Sequence, residues 1–483
     1  MGRHGRMAVV PTPEPVLPSR EDPVVERASE LIGGPVGRRA LLGTSWWTPI
    51  RVMLLLVVLA SAVGVALDQP CRATGWGDGT TQYTHACYSD IVHLYWGRGI
   101  ADGLVPYLDD PTTVGAEVVE YPVLTGAAMW VTGLLVPDGG DATSRGIRYF
   151  DVNALVIALL AAVTVWATAR TAGRRPWDAA MVAVAPGLVL TATINWDLYA
   201  VALTSLAMLA WARRHPVAAG MLLGLATAAK FYPALLFGPL LVLSLRTGRW
   251  RELGQAALGA VVLWCAANVP IMVANFDGWA RFYRLSRERG GDYGSPWLVL
   301  SGLGVDLPVQ RVNVWGPVVF LSLCIGIGLL GLMARRRPRF AQLAFLVLVA
   351  FVLTNKVYSP QYVLWLIPLA VLARPRWRDF LLWQTAEVIY FLSVWWYIHG
   401  FSEPDTALPA RMYWVAVTVH VVATAAYGAL VVRDIVRPWQ DPVRAGGADD
   451  PSGGVFDGAE DRFVLGADVD VSQAEPSAPQ HTS

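Results

Sequence analysis

The chain is predicted to be an all-α polytopic membrane protein, a bundle of about 12 transmembrane helices with a long outer first loop carrying juxtamembrane helices. Three observations predict it. Of 483 residues, 54% are apolar and only 16% are charged, against roughly 25% charged in an ordinary soluble chain. Mean hydropathy is +0.43. The apolar residues also fall in runs separated by Arg-rich turns, and about 20 such residues span a bilayer as a helix. This composition excludes a disordered chain, a nucleic-acid-binding domain and a disulfide-dense secreted module. The expected partner is the lipid bilayer, with no nucleic acid. A net charge of +1 names no further partner, because the charges are segregated along the chain.

Residues 1–47 are rich in Pro, Arg and Glu, without the early apolar run of a secretory signal, and are expected to be a largely disordered cytoplasmic segment. The membrane domain follows over 48–435. Basic residues cluster at Arg38/Arg39, Arg174/Arg175, Arg213/Arg214, Arg246/Arg249/Arg251, Arg335/Arg336/Arg337/Arg339, Arg374/Arg376/Arg378 and Arg433/Arg437, and basic turns face the cytoplasm. From Arg174 onward two apolar runs separate successive clusters: 179–194 with 197–211, 216–229 with 231–245, 253–274 with 316–333, 340–354 with 360–373, and 380–398 with 412–432. These are five hairpins with outward turns. Arg281, Arg284, Arg287 and Arg289 fall outside by the same count, so either their loop is long enough to escape the charge rule or a further crossing lies near 296–304. Of the runs 49–67, 120–136 and 148–170 only two can cross. The run 120–136 opens Glu-Tyr-Pro and holds two Gly, and is expected to be a re-entrant or interfacial helix. Both termini are then cytoplasmic. Residues 436–483, rich in Asp, Gly, Ser, Pro and Gln, are expected to be a disordered acidic tail, having too little apolar surface to offset ordering entropy.

Three hairpins have short halves and polar turns: Asn195-Trp196-Asp197, Lys230-Phe231-Tyr232-Pro233 and Lys356-Val357-Tyr358-Ser359-Pro360. A half of about 14 residues reaches roughly 21 Å, less than the roughly 30 Å hydrocarbon core. The turns should therefore lie below the outer surface and line a cavity. An ionisable residue at such depth reads as functional by default, and Lys230 with Lys356 would suit a lipid-linked phosphate. The plainer alternative is that both lysines snorkel to the interface. Arg148 and Asp151, at the outer start of the second span, and Asn195, Trp196 and Asp197 are assigned to shaping the cavity or holding sugar hydroxyls. Asp151 and Asp197 have a competing reading as interhelical contacts to Arg148 or a Lys. Tyr232 and Tyr358 are assigned to sugar or prenyl packing, with belt or core as the alternative.

The outer loop 68–147 holds Cys71 and Cys87, expected to form a disulfide in an oxidising compartment; Cys265 and Cys324 fall in spans. No spacing suggests metal ligands, and no cofactor is expected. Asp90 precedes Ile91, Leu94 and Tyr95 at helical spacing, which would hold it against the membrane surface at the cavity mouth. It is the first candidate for a general base acting on an acceptor hydroxyl, with Glu120 second.

Cys-Tyr-Ser-Asp-Ile (87–91), Gly-Arg-Gly (97–99), Val-Pro-Tyr (105–107), Glu-Tyr-Pro-Val (120–123), Asn-Trp-Asp, Lys-Phe-Tyr-Pro and Lys-Val-Tyr-Ser-Pro-Gln-Tyr, taken in order, resemble the actinobacterial branch of glycosyltransferase family 87, integral membrane enzymes of the GT-C type. The resemblance runs over roughly residues 85–375. It implies a polyprenyl-phosphate sugar donor, an extracytoplasmic active site at the plasma membrane and inverting transfer to a cell-envelope lipid or glycan acceptor. It also implies an Asp base in the first outer loop, where Asp90 stands. Mannose is the expected sugar, the match being alpha-mannosyltransferase-like. Glu120, Tyr121 and Gln361 join the substrate-binding set through the motifs that contain them. In mannosyltransferases of this family that extend phosphatidylinositol mannosides, the region similar to Ser359-Pro360-Gln361-Tyr362 can carry a His near the donor phosphate; this sequence has Gln361 and Trp365 there instead. Rival classes are a lipid or small-molecule transporter or flippase, whose broken helices also carry charges, and a non-catalytic subunit of an envelope-assembly complex.

Overall fold

The computed structural model describes residues 15–34, 36 and 46–466. All regular structure among them is helical. The bundle is built from Pro49–Leu67, Ala142–Thr171, a broken run over 176–191, Asp197–Ala212, Pro216–Ala229, Tyr232–Thr247, Trp250–Ala274, Val309–Met333, Phe340–Thr354, Pro360–Ala373, Trp377–His399 and Ala410–Val436. These stretches fall where the apolar runs predict them. Among the described residues, five helices are long and apolar enough to cross a membrane, and those flanking the three polar turns are short.

A helix that is apolar on all sides belongs in the middle of its bundle. Every residue of Val363–Ala373 is buried, as is most of Phe340–Thr354. Val309–Met333 instead leaves Val314, Leu321 and Ile325 exposed on the outside of the bundle, the face that lipid would cover. Pro216–Ala229 lies directly on Trp250–Ala274. A Cβ on Gly220 or Gly224 would come within 1.9 or 2.3 Å of the carbonyl oxygens of Ala256 and Ala260, so the small residues four apart permit the close backbone approach.

The two ends of the bundle differ in charge. One end gathers the predicted basic clusters, where Arg175 pairs with Asp178 at 2.7 Å, Arg246 with Asp461 at 2.8 Å, Arg339 with Asp441 at 2.8 Å and Arg374 with Asp379 at 2.7 Å. The other carries the first loop, the three polar turns and the 275–308 connection. The segment expected to be re-entrant forms the helix Val123–Leu134, about 18 Å long at 12 residues. Tyr107 of the first loop bonds the carbonyl oxygen of Tyr121 before the helix, and Ile100 of the same loop packs against Gly133 near its end, so both ends of the helix stay at the loop end.

The ambiguity over Arg281–Arg289 resolves in favour of a long loop. It contains the amphipathic helix Phe276–Glu288 and the seven-residue helix Pro296–Gly302. The second is too short to cross, and Trp297 donates to the carbonyl oxygen of Thr354 at 2.9 Å, beside the Lys356 turn.

The expectation of terminal disorder is corrected over most of the described residues concerned. Residues 437–466 fold back across the basic end, burying Asp441, Asp450 and Phe456. Sequence composition undervalues this segment because its acids are matched to Arg246, Arg337 and Arg339 rather than to water. Near the other terminus, Pro18–Glu21 and Pro23–Gly33 are helical, and Glu21 pairs with Arg175 at 2.7 Å. The rest of both expected disordered segments lies outside the described residues.

Candidate active site

Asp90 is the first residue of the helix Asp90–Gly97, with Ser89 as its N-cap, and a carboxylate is favoured at that helix end. The segment before it is laid along the Asn-Trp-Asp turn. Asp90 N–H donates to the Ile194 carbonyl at 2.8 Å, and Ser89 Oγ to the Thr193 carbonyl at 2.6 Å. Cys71 and Cys87 form a disulfide three residues before Asp90. Two sequence motifs more than 100 residues apart thus become one wall.

The Asp90 carboxylate accepts a hydrogen bond on each oxygen, from the Tyr88 hydroxyl at 2.8 Å and the Tyr121 hydroxyl at 2.9 Å. Burial pushes its carboxyl above the ordinary carboxylate range, opposed by these two bonds and by the charge of Lys230. Each carboxylate oxygen has two lone-pair positions, so a proton-accepting position remains on each.

Lys230 ends Pro216–Ala229 at its C-cap, and Asp197 begins Asp197–Ala212, each at the helix end that suits its charge. They meet at 2.7 Å between Nζ and Oδ1. Asp197 Oδ2 accepts from the Trp365 indole at 2.9 Å, and Asn195 Oδ1 accepts from the Asp197 backbone N–H at 2.9 Å. The ammonium also lies 5.0 Å from the ring centre of Tyr121, 5.8 Å from that of Tyr362 and 5.7 Å from that of Trp365, within cation–π range. Tyr121 therefore joins the two charge centres: its hydroxyl serves Asp90 while its face serves Lys230.

The remaining sequence-derived candidates divide. Glu120 forms a two-point pair with Arg98, at 2.6 and 2.8 Å, and so acts behind Tyr121 rather than beside Asp90. Trp196 is buried, its indole donating to Asn153 at 2.7 Å, and it packs edge-on against Tyr121. Tyr232 is buried and stacks on Trp365. Gln361 is buried in the short turn before Tyr362.

Others lie apart. Asp151 pairs with Arg72 at 2.7 Å, and Arg148 donates to the carbonyls of Pro137 and Ser144, so neither shapes this cavity and they do not pair with each other. Tyr358 is turned into the bundle, where it hydrogen-bonds Thr424 and packs against His420. Lys356 is not bonded to the Asp90–Lys230 group; its ammonium donates to Asn313 at 2.6 Å and to the Arg287 carbonyl at 3.1 Å.

Sequence reasoning passed over Tyr88, Tyr362 and a second charge pair. Arg289 lies 3.5 Å from Asp292, which accepts a hydrogen bond from Ser359 at 2.8 Å. The Tyr362 ring lies 5.8 Å from the Lys230 ammonium, and its backbone N–H donates at 2.9 Å to the carbonyl of Ser359, the residue whose hydroxyl bonds Asp292, so Tyr362 links the two centres. Tyr88 and Tyr362 sit inside motifs already singled out, and Arg289 belongs to the basic group that departs from the charge rule; Asp292 carries no signal in the sequence beyond its place in the long loop.

Fold and site together define a polytopic helical membrane protein with a hydroxyl-flanked carboxylate and a shielded ammonium at one end of its bundle. Residues 120–355 match the model of glycosyltransferase family 87, a stretch that carries Glu120, Tyr121, Asn195, Asp197 and Lys230. Asp90 lies before the matched stretch and Lys356 directly after it. No curated protein gives a significant match. Among solved structures, the chain is similar to the crystal structure of ArnT from Cupriavidus metallidurans bound to undecaprenyl phosphate. The identity is 15%, the match covers 79% of this chain and 77% of that one, and the TM-score is 0.40.

Proposed function

We propose that this glycosyltransferase moves a sugar from a polyprenyl-phosphate donor to a hydroxyl of a cell-envelope lipid or glycan, with Asp90 as general base. The observation that carries this reading is the joining of Asp90 to Lys230 through one residue, Tyr121. A carboxylate at the hydroxyl of one tyrosine and an ammonium over the face of its ring are suited to opposite roles at the two faces of an anomeric carbon. The acceptor hydroxyl gives its proton to a free lone pair of Asp90. Its oxygen forms the new bond to the anomeric carbon, the bond to the donor phosphate breaks, and the electron pair leaves with polyprenyl phosphate. Attack and departure on opposite faces invert the configuration.

Lys230, held in direction by Asp197 and Trp365, faces the charge that develops on the departing phosphate, the kind of fixed electrostatic help that supplies most of many enzymes' rate enhancement. Arg289, beyond Tyr362, extends the cationic side, and Lys356 lies next to it. The lipid-phosphate sugar enters as substrate, with no separate cofactor in this scheme. Mannose is the sugar to try first, on the resemblance described above. The loop end faces outward at the plasma membrane and both termini face the cytoplasm, a reading supported by the collection of basic clusters at the opposite end and by the Cys71–Cys87 disulfide.

The test is Asp90→Asn in purified protein, assayed with a polyprenyl-phosphate mannose and envelope lipid extract. Transfer should fall by at least about 100-fold, the lower range of what a positioned base contributes, while donor binding is kept. Wild-type transfer rates in the variant would remove Asp90 from this role.

A further inference from the structure

Of the two hydroxyls on the Asp90 carboxylate, that of Tyr121 is held by the centre itself, its ring facing the Lys230 ammonium and lying edge-on to Trp196. The other, that of Tyr88, is held from a distant part of the chain. The Tyr88 ring stacks on Trp395, of the helix Trp377–His399, at 4.8 Å between ring centres. Tyr83 stacks beside both, 6.2 Å from Tyr88 and 6.5 Å from Trp395, and the His93 ring lies 5.5 Å from that of Tyr88. These separations are those of favourable aromatic pairs. Trp395 is 5% exposed and is packed edge-on by Phe391 at 6.0 Å, so it presents a fixed surface.

The backbone on either side of Tyr88 is secured without Trp395. Cys87 is in the disulfide, and its carbonyl accepts from the Trp76 indole at 3.0 Å, while Ser89 bonds the Thr193 carbonyl. What remains to be fixed is the direction of the Tyr88 side chain, which turns about two torsions. Tyr88 is partly exposed at the loop surface, so its own loop does not settle those torsions, and the stack on Trp395 does. The Trp395 indole N–H is buried without a hydrogen-bond partner among the described residues. An unpaired buried donor is a cost, so this position uses the ring and not the N–H.

We infer that Trp395 is a positioning residue for the base: it holds the ring of Tyr88 and thereby aims the hydroxyl that favours the ionised Asp90 carboxylate. The inference rests on the role proposed for Asp90. Trp395 touches no reacting atom in this reading, and its effect passes through Tyr88. Besides the two tyrosines, Lys230 and Glu120 face Asp90 from other elements and His93 from its own helix; all three stay unchanged in the variants that test the inference.

The experiment is the pH dependence of transfer from a polyprenyl-phosphate mannose to envelope lipid extract, in the purified full chain at low extract concentration, where the rate follows kcat/KM and its acid limb reports the base. Trp395→Leu keeps apolar volume and removes the stack. Its acid limb should move to higher pH by about 0.4–1 unit, the size of a stacked aromatic pair expressed as a pKa change. Trp395→Phe restores a stacking face and should bring the limb back toward its wild-type position. In a Tyr88→Phe background there is no hydroxyl to aim, so Trp395→Leu should leave the limb where Tyr88→Phe alone puts it. Tyr83→Leu removes a partly exposed ring of the same stack, at the loop surface, and should move the limb in the same direction by less; it carries the test if Trp395→Leu does not fold. A merely structural role would lower the rate at every pH and leave the limb in place. An unmoved limb in Trp395→Leu, or in Tyr83→Leu where that variant stands in, would overturn the inference, as would an equal shift in the Tyr88→Phe background. If neither Tyr88→Phe nor Tyr121→Phe moves the limb, the reading of Asp90 as base falls too. A limb that moves in Tyr88→Phe and stays in the Trp395 variant removes the inference alone.

Discussion

Replacing Tyr121 by Phe removes one hydroxyl donor from the Asp90 carboxylate and keeps the ring that faces Lys230. A hydrogen bond to a charged acceptor contributes about 1.5–3 kcal/mol, and 1.36 kcal/mol corresponds to one pKa unit. Losing one of the two donors should therefore raise the Asp90 pKa by about one to two units, beyond the elevation that burial already causes. The sign follows from the protonation state that the bond favours. The Tyr121 hydroxyl stabilises the ionised form, so without it a proton is held to higher pH and the base is available only above that value. The acid limb of kcat/KM, which reports the free enzyme's base, should move to higher pH by about one to two units, with the plateau at high pH less affected. Tyr88→Phe should act in the same direction. Asp68 also titrates nearby: burial pushes it up to about 7, against a hydrogen bond from Thr193. It makes no hydrogen bond to Tyr121, so its contribution should not move in Tyr121→Phe. The assay is initial transfer rate across a pH series at low acceptor concentration, in purified protein whose thermal unfolding matches wild type. An acid limb that stays in place in both tyrosine variants would refute the assignment of that limb, and of the base, to Asp90.

Other expectations bear on the rest of the molecule. Asp197→Asn leaves Lys230 without its carboxylate partner in a largely buried position and should cost about 3–5 kcal/mol of stability, read as a lowered unfolding temperature together with weaker donor binding. Arg339→Met removes a guanidinium that joins Asp441 to the carbonyls of Leu372 and Ala373. It should destabilise by a similar amount, about 3–5 kcal/mol, while KM for the donor, measured below the unfolding transition, stays at the wild-type value because the site is at the opposite end. In intact cells an impermeant maleimide should label Ser402→Cys and should reach Arg213→Cys only after permeabilisation; the reverse pattern would invert the proposed orientation.

Much of the site's vocabulary was legible before the fold. Lys230, Asn195 and Asp197 stand out because polar residues at the ends of short apolar runs cannot be explained by the membrane alone, and Asp90 because an amphipathic run follows it in the outer loop. Their grammar was not legible. Two lysines in similar Lys-aromatic-Pro surroundings suggested one shared cationic chamber, yet Lys230 is enclosed by Asp197 and three aromatic rings while Lys356 bonds Asn313 and a loop carbonyl. Tyr358 and Tyr232 belong to matching turns, and both are buried in the bundle interior, Tyr358 against His420 and Tyr232 against Trp365. A turn motif fixes where the chain bends, whereas side-chain direction depends on which helices press against that bend.

The order and approximate limits of the helices, and the sorting of basic clusters to one end, follow from the amino-acid sequence. They reflect transfer free energies that each segment carries wherever it sits. Which charge meets which was decided by the tertiary structure: Asp151 with Arg72, Asp197 with Lys230, and the acidic 437–466 segment with arginines gathered from two turns. Ion pairs and hydrogen bonds act over a few ångströms, so their partners exist only once distant stretches of chain have been packed side by side.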